Sequence, residues 1–185
     1  MYNKSDLLHF VKIIGRLKKV RRLGWLLKVG VKNPESVADH SFMTSILCML
    51  IGDLNNLDTL KMVKMALLHD ACESIIGDFK ANNINNELEK KKLEDKAMIL
   101  VLSKLPDNIR IFYHRIWNEF QEGLTEEARL VKEIDKLEMI FQAHEYEEEG
   151  YDKEILSEFW ESARQTINDL RVKVFFRELK QSKSD

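Results

Sequence analysis

Glycine and proline are scarce in this chain, at 7 and 2 of 185 residues. So low a share excludes a collagen-like or Gly/Pro-rich disordered chain and argues against a sandwich or barrel with a turn every ten residues or so. Long apolar runs are also missing. The longest wholly apolar stretches, Ile46–Ile51 and Ala97–Leu102, fall far short of the roughly 20 residues that cross a bilayer. At the N-terminus Asp6, His9 and Lys12 interrupt the apolar core that a signal peptide needs. Neither charge sign prevails, with 29 Lys and Arg against 31 Asp and Glu, so nothing marks a general nucleic-acid binder. The two cysteines, Cys48 and Cys72, sit inside apolar helical patterns, which points to reduced core thiols and a cytoplasmic setting. A glycine-rich phosphate loop is absent from the sequence, so any phosphate would be held by side chains on helices or by an ion.

What remains is an all-α protein, and helical periodicity runs from end to end. With 44% apolar residues, the chain can bury a core of ordinary single-domain size. Residues 1–180 are expected to form one helical bundle, with residues 181–185 as a frayed tail. Leu7, Leu8, Val11, Ile14 and Leu17 draw the apolar stripe of a first helix. Ser36-Val37-Ala38-Asp39 has the form of a capping box with Ser36 as N-cap, which puts His40 near the beginning of a second helix that continues through Met43, Ile46, Leu47 and Leu50. Asp58 caps a third helix that carries His69-Asp70 and ends at Gly77. A charged helix follows from Asn85 or Asn86 to about Lys104, and another carries Ile109 to Phe120 and stops at Gly123. Thr125 begins a long helix with the stripe Leu130, Ile134, Leu137 and Phe141. A last helix or helix pair spans Ile155 to Leu179.

The chemistry concentrates in Leu67-Leu68-His69-Asp70-Ala71-Cys72-Glu73-Ser74-Ile75-Ile76-Gly77-Asp78. On a helix, His69, Asp70 and Glu73 project toward one site. They do so from an apolar segment, where ionisable groups cost several kcal/mol each unless paired or bound to a cation. His40 and Asp135 are the natural additional members, since Asp135 lies beside the apolar stripe of its helix. Two imidazoles and two carboxylates suit one first-row divalent ion, Mn²⁺, Co²⁺, Fe²⁺, Ni²⁺ or Zn²⁺, with Mg²⁺ less natural.

These residues resemble a known family. His40, His69-Asp70 and Asp135 match the H…HD…D signature of the HD-domain superfamily of metal-dependent phosphohydrolases. The segments from Pro34 to His40, Ala66 to Asp78 and Asp135 to Met139 are similar to its 5′-deoxynucleotidase branch, as is Gln142-Ala143-His144-Glu145-Tyr146. The resemblance covers roughly Leu7 to Trp160. It implies a helical bundle whose site hydrolyses deoxynucleoside 5′-monophosphates, and a homodimer. It also implies metal ligands at His40, His69, Asp70 and Asp135, a water-activating acid at Glu73, and a second acid near phosphate and sugar at Asp78. Arg22 and Trp25 resemble a family Arg and Trp that contact phosphate and nucleotide. Two residues separate them here, so Arg21 and Arg22 both stand as carriers of the phosphate role.

Eight basic residues and no acid lie between Leu7 and Pro34, a supply of cations for a phosphate. Two other readings are open. One is a different HD activity, diester cleavage or alarmone hydrolysis, although alarmone hydrolases carry Glu-Asp where this chain has Glu73-Ser74. The other is a binding module whose metal site is structural, a role for which Glu73 and Asp78 would be superfluous.

Overall fold

The computed structural model describes residues 3–78 and 86–182. Lys183, Ser184 and Asp185 of the expected tail, and Asn85, lie outside the described residues. Among the described residues nine α-helices follow one another: α1 (Lys4–Ile14), α2 (Val37–Leu54), α3 (Thr59–Leu68), α4 (Glu73–Ile76), α5 (Glu87–Leu102), α6 (Asp107–Glu122), α7 (Glu126–Glu148), α8 (Lys153–Thr166) and α9 (Leu170–Gln181). A 3₁₀ turn (Gly15–Lys19) and a π turn (Trp25–Val29) join α1 to α2. The described residues contain no sheet, only an isolated antiparallel bridge between Arg21 and Ser36.

Several helix starts follow directly from side-chain chemistry. Ser36 and Asp39 form the expected capping box on α2, Asp58 accepts from the Lys61 N–H, and Thr125 accepts from the Ala128 N–H. Each satisfies an amide that the first turn leaves without a helical partner. Asn86 caps α5, and Gly123, with φ +62°, closes α6 in the left-handed region. The C-terminal segment is a pair of helices because Asp169 caps α9 anew after the break at Ile167.

The centre of the bundle is α7, which packs against α2, α3, α6, α8 and α9. Its residues Leu130, Ile134 and Leu137 are buried as the stripe requires, whereas Phe141 is only half-buried. One contiguous core joins side chains from Ile13 to Phe176. Burying each large aliphatic residue contributes roughly 1.5–3 kcal/mol.

Two expectations need correction, and α2 shows an orientation that the sequence left open. In α1, Leu8 and Val11 face solvent, and the buried side is marked by Ile13 with Leu7, Phe10 and Ile14 packed beside it. In α2, Met43, Ile46 and Leu50 point outward while His40, Ser41, Thr44, Ser45 and Cys48 point in with Leu47 and Ile51. The inner seam uses small and polar residues because α2 approaches its neighbours closely. A Cβ on Gly52 would meet Thr59 Oγ1 of α3 at 2.7 Å. By length and hydropathy α2 could cross a membrane, yet half of it is buried in the bundle.

The second correction concerns the chemical block. The third helix does not run on to Gly77. It ends at Leu68, and four turn residues lead into the single-turn α4. Tight bonds close this segment, from Ala71 N–H to the Leu68 carbonyl (3.1 Å), Glu73 N–H to Asp70 (3.0 Å) and Ser74 N–H to Ala71 (3.2 Å). Trp117 Nε1 donates to the His69 carbonyl at 3.2 Å, which satisfies a group at the break. Gly77 then adopts φ +79°, a region open to glycine without a steric penalty.

Candidate metal centre

Three elements bring the predicted ligands together. The capping box sets His40 in the first turn of α2, the α3–α4 break presents His69 and Asp70, and α7 presents Asp135. His40 Nε2 lies 3.0 Å from Asp135 Oδ1 and 3.3 Å from His69 Nε2. His69 Nε2 lies 3.1 Å from Asp70 Oδ2. The two crossing distances, His40 to Asp70 and His69 to Asp135, are both 3.9 Å. Ligands held at roughly 2.0–2.2 Å from one ion lie roughly 3–3.5 Å apart, so the 3.0–3.3 Å contacts suit a shared cation; His40, His69 and Asp135 group closely enough to hold one, with Asp70 at their edge beside His69. Both imidazoles are buried, and Nδ1 of each is engaged elsewhere. His69 Nδ1 donates to the Ala66 carbonyl at 2.6 Å, and His40 Nδ1 contacts Glu138 Oε2. Each ring therefore turns Nε2 toward the shared point.

The electrostatics express the same demand for positive charge. Burial and Arg22 oppose an imidazolium at His40, but hydrogen bonds to Asp135 and Glu138 outweigh them and raise its pKa to about 10. Burial also opposes ionisation of Asp70, yet His69 and His40 hold its carboxyl well below the ordinary range. Asp135 is likewise held low against burial by Lys136 and His40. An acid-rich cluster that retains a proton on an imidazole is suited to a divalent ion in its place.

Glu73 stands at the edge of this cluster. Its Oε2 is shielded from solvent and has no hydrogen-bond partner among the described residues. Burial, reinforced by Asp70 and Asp78, raises its pKa to about 10. Beyond Gly77, Asp78 Oδ2 accepts from the Leu23 N–H at 2.5 Å and so ties the Arg22 segment to the site. The other end of that segment is pinned to the α2 entry by Arg22 N–H to the Glu35 carbonyl (3.1 Å) and Val37 N–H to the Val20 carbonyl (2.9 Å).

Of the two arginines, Arg22 is the one directed inward, with NH1 3.8 Å from Asp70 Oδ2 and Nε 3.6 Å from Glu35 Oε1. Burial works against its charge, but Glu35, Asp70, Asp135 and Glu138 together raise its pKa above the ordinary value. Arg21 instead donates to the Pro34 carbonyl at 3.0 Å. Lys12, Arg16, Lys18, Lys19 and Lys32 are exposed, and Lys28 pairs with Glu158, so the basic stretch supplies one cation to the site rather than eight. Trp25 is 1% exposed. Its ring packs against Phe159 (4.4 Å between centroids) and Tyr146 (5.3 Å), leaving no face for a nucleotide, and its Nε1 donates to Glu35 at 2.8 Å. The direct contact expected of Trp25 is replaced by support of Glu35, which in turn faces Arg22.

Sequence reasoning missed Glu35, Glu138 and Lys136. Glu138 and Glu35 lie in the very segments that carry the resemblance. Glu138 is also three residues from Asp135 on the inner side of α7, where an acid is as unexpected as Asp135 itself. Lys136 Nζ, 3.0 Å from Asp135 Oδ2, adds a second cation at the mouth of the site.

Two buried histidines and two half-buried aspartates clustered on a helical bundle, with an acid and an arginine beside them, define a metal-site architecture of the hydrolase type. The HD-domain family profile matches residues 14–173, and the chain belongs to that family. It is 36% identical to human 5′-deoxynucleotidase HDDC2 over 184 residues, covering 99% of this chain and 89% of the relative. It is 39% identical to 5′-deoxynucleotidase HDDC2 of Dictyostelium discoideum, covering 86% and 89%. Among solved structures, a conserved hypothetical protein from Pyrococcus furiosus superposes with a TM-score of 0.77 at 35% identity, covering 94% of this chain and 99% of that one.

Proposed function

We propose that this chain is a metal-dependent 5′-deoxynucleotidase that hydrolyses deoxynucleoside 5′-monophosphates to deoxynucleoside and phosphate. The observation that carries the reading is the cluster of His40, His69 and Asp135, with Asp70 3.1 Å from His69 and Glu73 alongside. Relatives at 36% and 39% identity, named as 5′-deoxynucleotidases, support the substrate class. His40, His69, Asp70 and Asp135 would hold a divalent ion, Mn²⁺, Co²⁺, Fe²⁺, Ni²⁺ or Zn²⁺, which would supply a Lewis acid for the phosphoryl group and for the attacking water. Mg²⁺ suits two imidazole ligands less well. Glu73, beside the ligand cluster, would take the water proton as the new O–P bond forms. Arg22 neutralises charge on the phosphoryl oxygens, with Lys136 in reserve at the mouth. Asp78 fixes the Arg22 segment, and the proton taken by Glu73 goes to the departing 5′ oxygen when the P–O bond breaks.

The test is phosphate release from paired ribo- and deoxyribonucleoside monophosphates after chelation and reloading with Mn²⁺ or Co²⁺. Turnover of the deoxy series is expected. A folded, metal-loaded protein that turns over none of them would overturn the proposal, and preference for a diester would favour another HD activity.

We also propose that the protein works as a homodimer in the cytoplasm, a reducing setting that suits the two free, buried thiols. The dimer rests on the outer face of α2, where Phe42, Met43, Ile46, Met49, Leu50 and Leu54 are 37–64% exposed. From Ser41 to Gly52 no residue is charged, so a second copy of the same face meets it without burying a like charge. The row offers on the order of 500 Å² of apolar surface per copy, large for a monomer and near the lower size of specific interfaces when doubled. Light scattering should give twice the chain mass, and Met49→Lys should halve it. A wild-type monomer at tens of micromolar would overturn the dimer.

A further inference from the structure

His40 differs from His69 in what holds its far nitrogen. His69 Nδ1 meets a neutral backbone carbonyl at 2.6 Å, which accepts and so leaves the lone pair on Nε2. His40 Nδ1 meets the carboxylate of Glu138, which is 3% exposed. Asp135 and Glu138 are three apart on α7, so this one helix addresses both nitrogens of the imidazole: Asp135 lies 3.0 Å from Nε2, and Glu138 contacts Nδ1. Val131 and Ile134, on the same side of α7, are completely buried and apolar. A carboxylate in that row is costly, and an apolar residue would fill the space without the penalty.

We propose that Glu138 is a positioning residue for the metal centre, holding the proton of His40 on Nδ1 so that the Nε2 lone pair faces the ion. The inference rests on His40 being a metal ligand. In this reading Glu138 acts through the His40 ring rather than as a ligand. Its carboxylate fixes the ring orientation and, through its charge, makes Nε2 a stronger donor. A glutamine at the same place keeps the shape but loses the charge, and its amide can turn its N–H₂ toward Nδ1 and drive the proton to Nε2. A leucine removes the acceptor outright.

The test compares wild type, Glu138→Gln and Glu138→Leu. Zn²⁺ affinity is measured by competition with a chromophoric chelator, folding is checked by thermal unfolding in excess chelator, and histidine tautomers are read by long-range ¹H–¹⁵N NMR on Zn²⁺-loaded protein. Wild type should show His40 protonated at Nδ1 with Nε2 bound. Both variants should unfold cooperatively yet bind Zn²⁺ about 10- to 100-fold more weakly. Should the leucine variant not fold, the near-isosteric glutamine variant decides. Variants that bind Zn²⁺ within twofold of wild type with the wild-type tautomer would overturn the proposal and leave Glu138 as a packing residue, even if their thermal stability fell. A wild type that binds no divalent ion would overturn the metal-centre reading itself, and that failure is visible before any variant is made.

Discussion

Glu73 carries a conflict between stability and chemistry that a single substitution exposes. In the unfolded chain a glutamate ionises near pH 4.5, whereas in the fold burial, Asp70 and Asp78 raise Glu73 to about 10. The folded state therefore holds a proton at pH 7 that the unfolded chain has released. Stability from this group is fully present below pH 4.5 and falls as pH rises toward 10, because over that range the native state binds more protons. At pH 7 the difference is roughly 2.5 pH units, or up to about 3 kcal/mol. Glu73→Gln has nearly the same shape and nothing to ionise, so it escapes this loss. In excess chelator it should be more stable than wild type at pH 7 by up to about 3 kcal/mol, or roughly 5–10 °C for a chain of this length. The gain should vanish near pH 4.5 and grow toward pH 9. The same variant, reloaded with Mn²⁺ or Co²⁺, should lose roughly 10²- to 10⁴-fold in kcat as the general base is removed. Scanning calorimetry across that pH series is the assay. A variant that melts at or below wild type at pH 7, or whose advantage does not change with pH, would refute the reasoning. It would mean that Glu73 is already ionised and held by a partner.

Other perturbations separate the remaining parts of the site. Chelation should lower the melting temperature by roughly 10 °C relative to protein at about a thousandfold excess of metal over Kd, and Asp135→Asn should abolish that difference in the same thermal scan. Arg22→Ala should cost about 10- to 100-fold in kcat/KM with a deoxynucleoside monophosphate, whereas Arg21→Ala, which loses only a bond to the Pro34 carbonyl, should stay within about twofold. Glu35 is raised to about 7 by burial and by Glu138, against the pull of Arg22, His40 and the Trp25 N–H. Because Trp25 donates to its carboxylate, a tryptophan emission change centred near pH 7 is expected in wild type and should be lost in Glu35→Gln.

Local chemistry made much of this fold and site readable in advance. The Ser36–Asp39 box, Asp58 and Thr125 act within four residues of themselves, so the starts of α2, α3 and α7 follow from sequence alone. The clustering of His40, His69, Asp70 and Asp135 was also legible, because an ionisable residue set into an apolar stripe must find a partner or a cation to offset its burial. What could not be read depends on distant partners. Periodicity marks an apolar face on α2 but does not say which side meets α7, and here the small and polar side lies inward. The break after Leu68 is completed by Trp117, 48 residues away from His69. The cations of the N-terminal stretch look equivalent as a sequence. Only the pairing of Arg21–Arg22 with Glu35–Ser36 decides which one turns inward.

That pairing explains how a protein without a glycine-rich loop can hold a phosphate. A loop of that kind uses backbone N–H groups and needs little from the rest of the fold. In the proposed site the work would fall to side chains from five separate stretches, Arg22, His40, the His69–Glu73 turn, Asp78 and Asp135, with Arg22 meeting phosphate directly and the acids serving it only through a cation or by positioning. Each is fixed by a contact that crosses the bundle. Asp78 holds the Leu23 amide, Glu35 faces Arg22 and accepts from Trp25, Glu138 contacts His40, and Trp117 holds the His69 carbonyl. The site is therefore complete only when α2, α6, α7 and the Arg22 segment are all docked. An ion that bridges α2, the α3–α4 break and α7 adds binding free energy to that docking, because the unfolded chain has no such cluster to offer it.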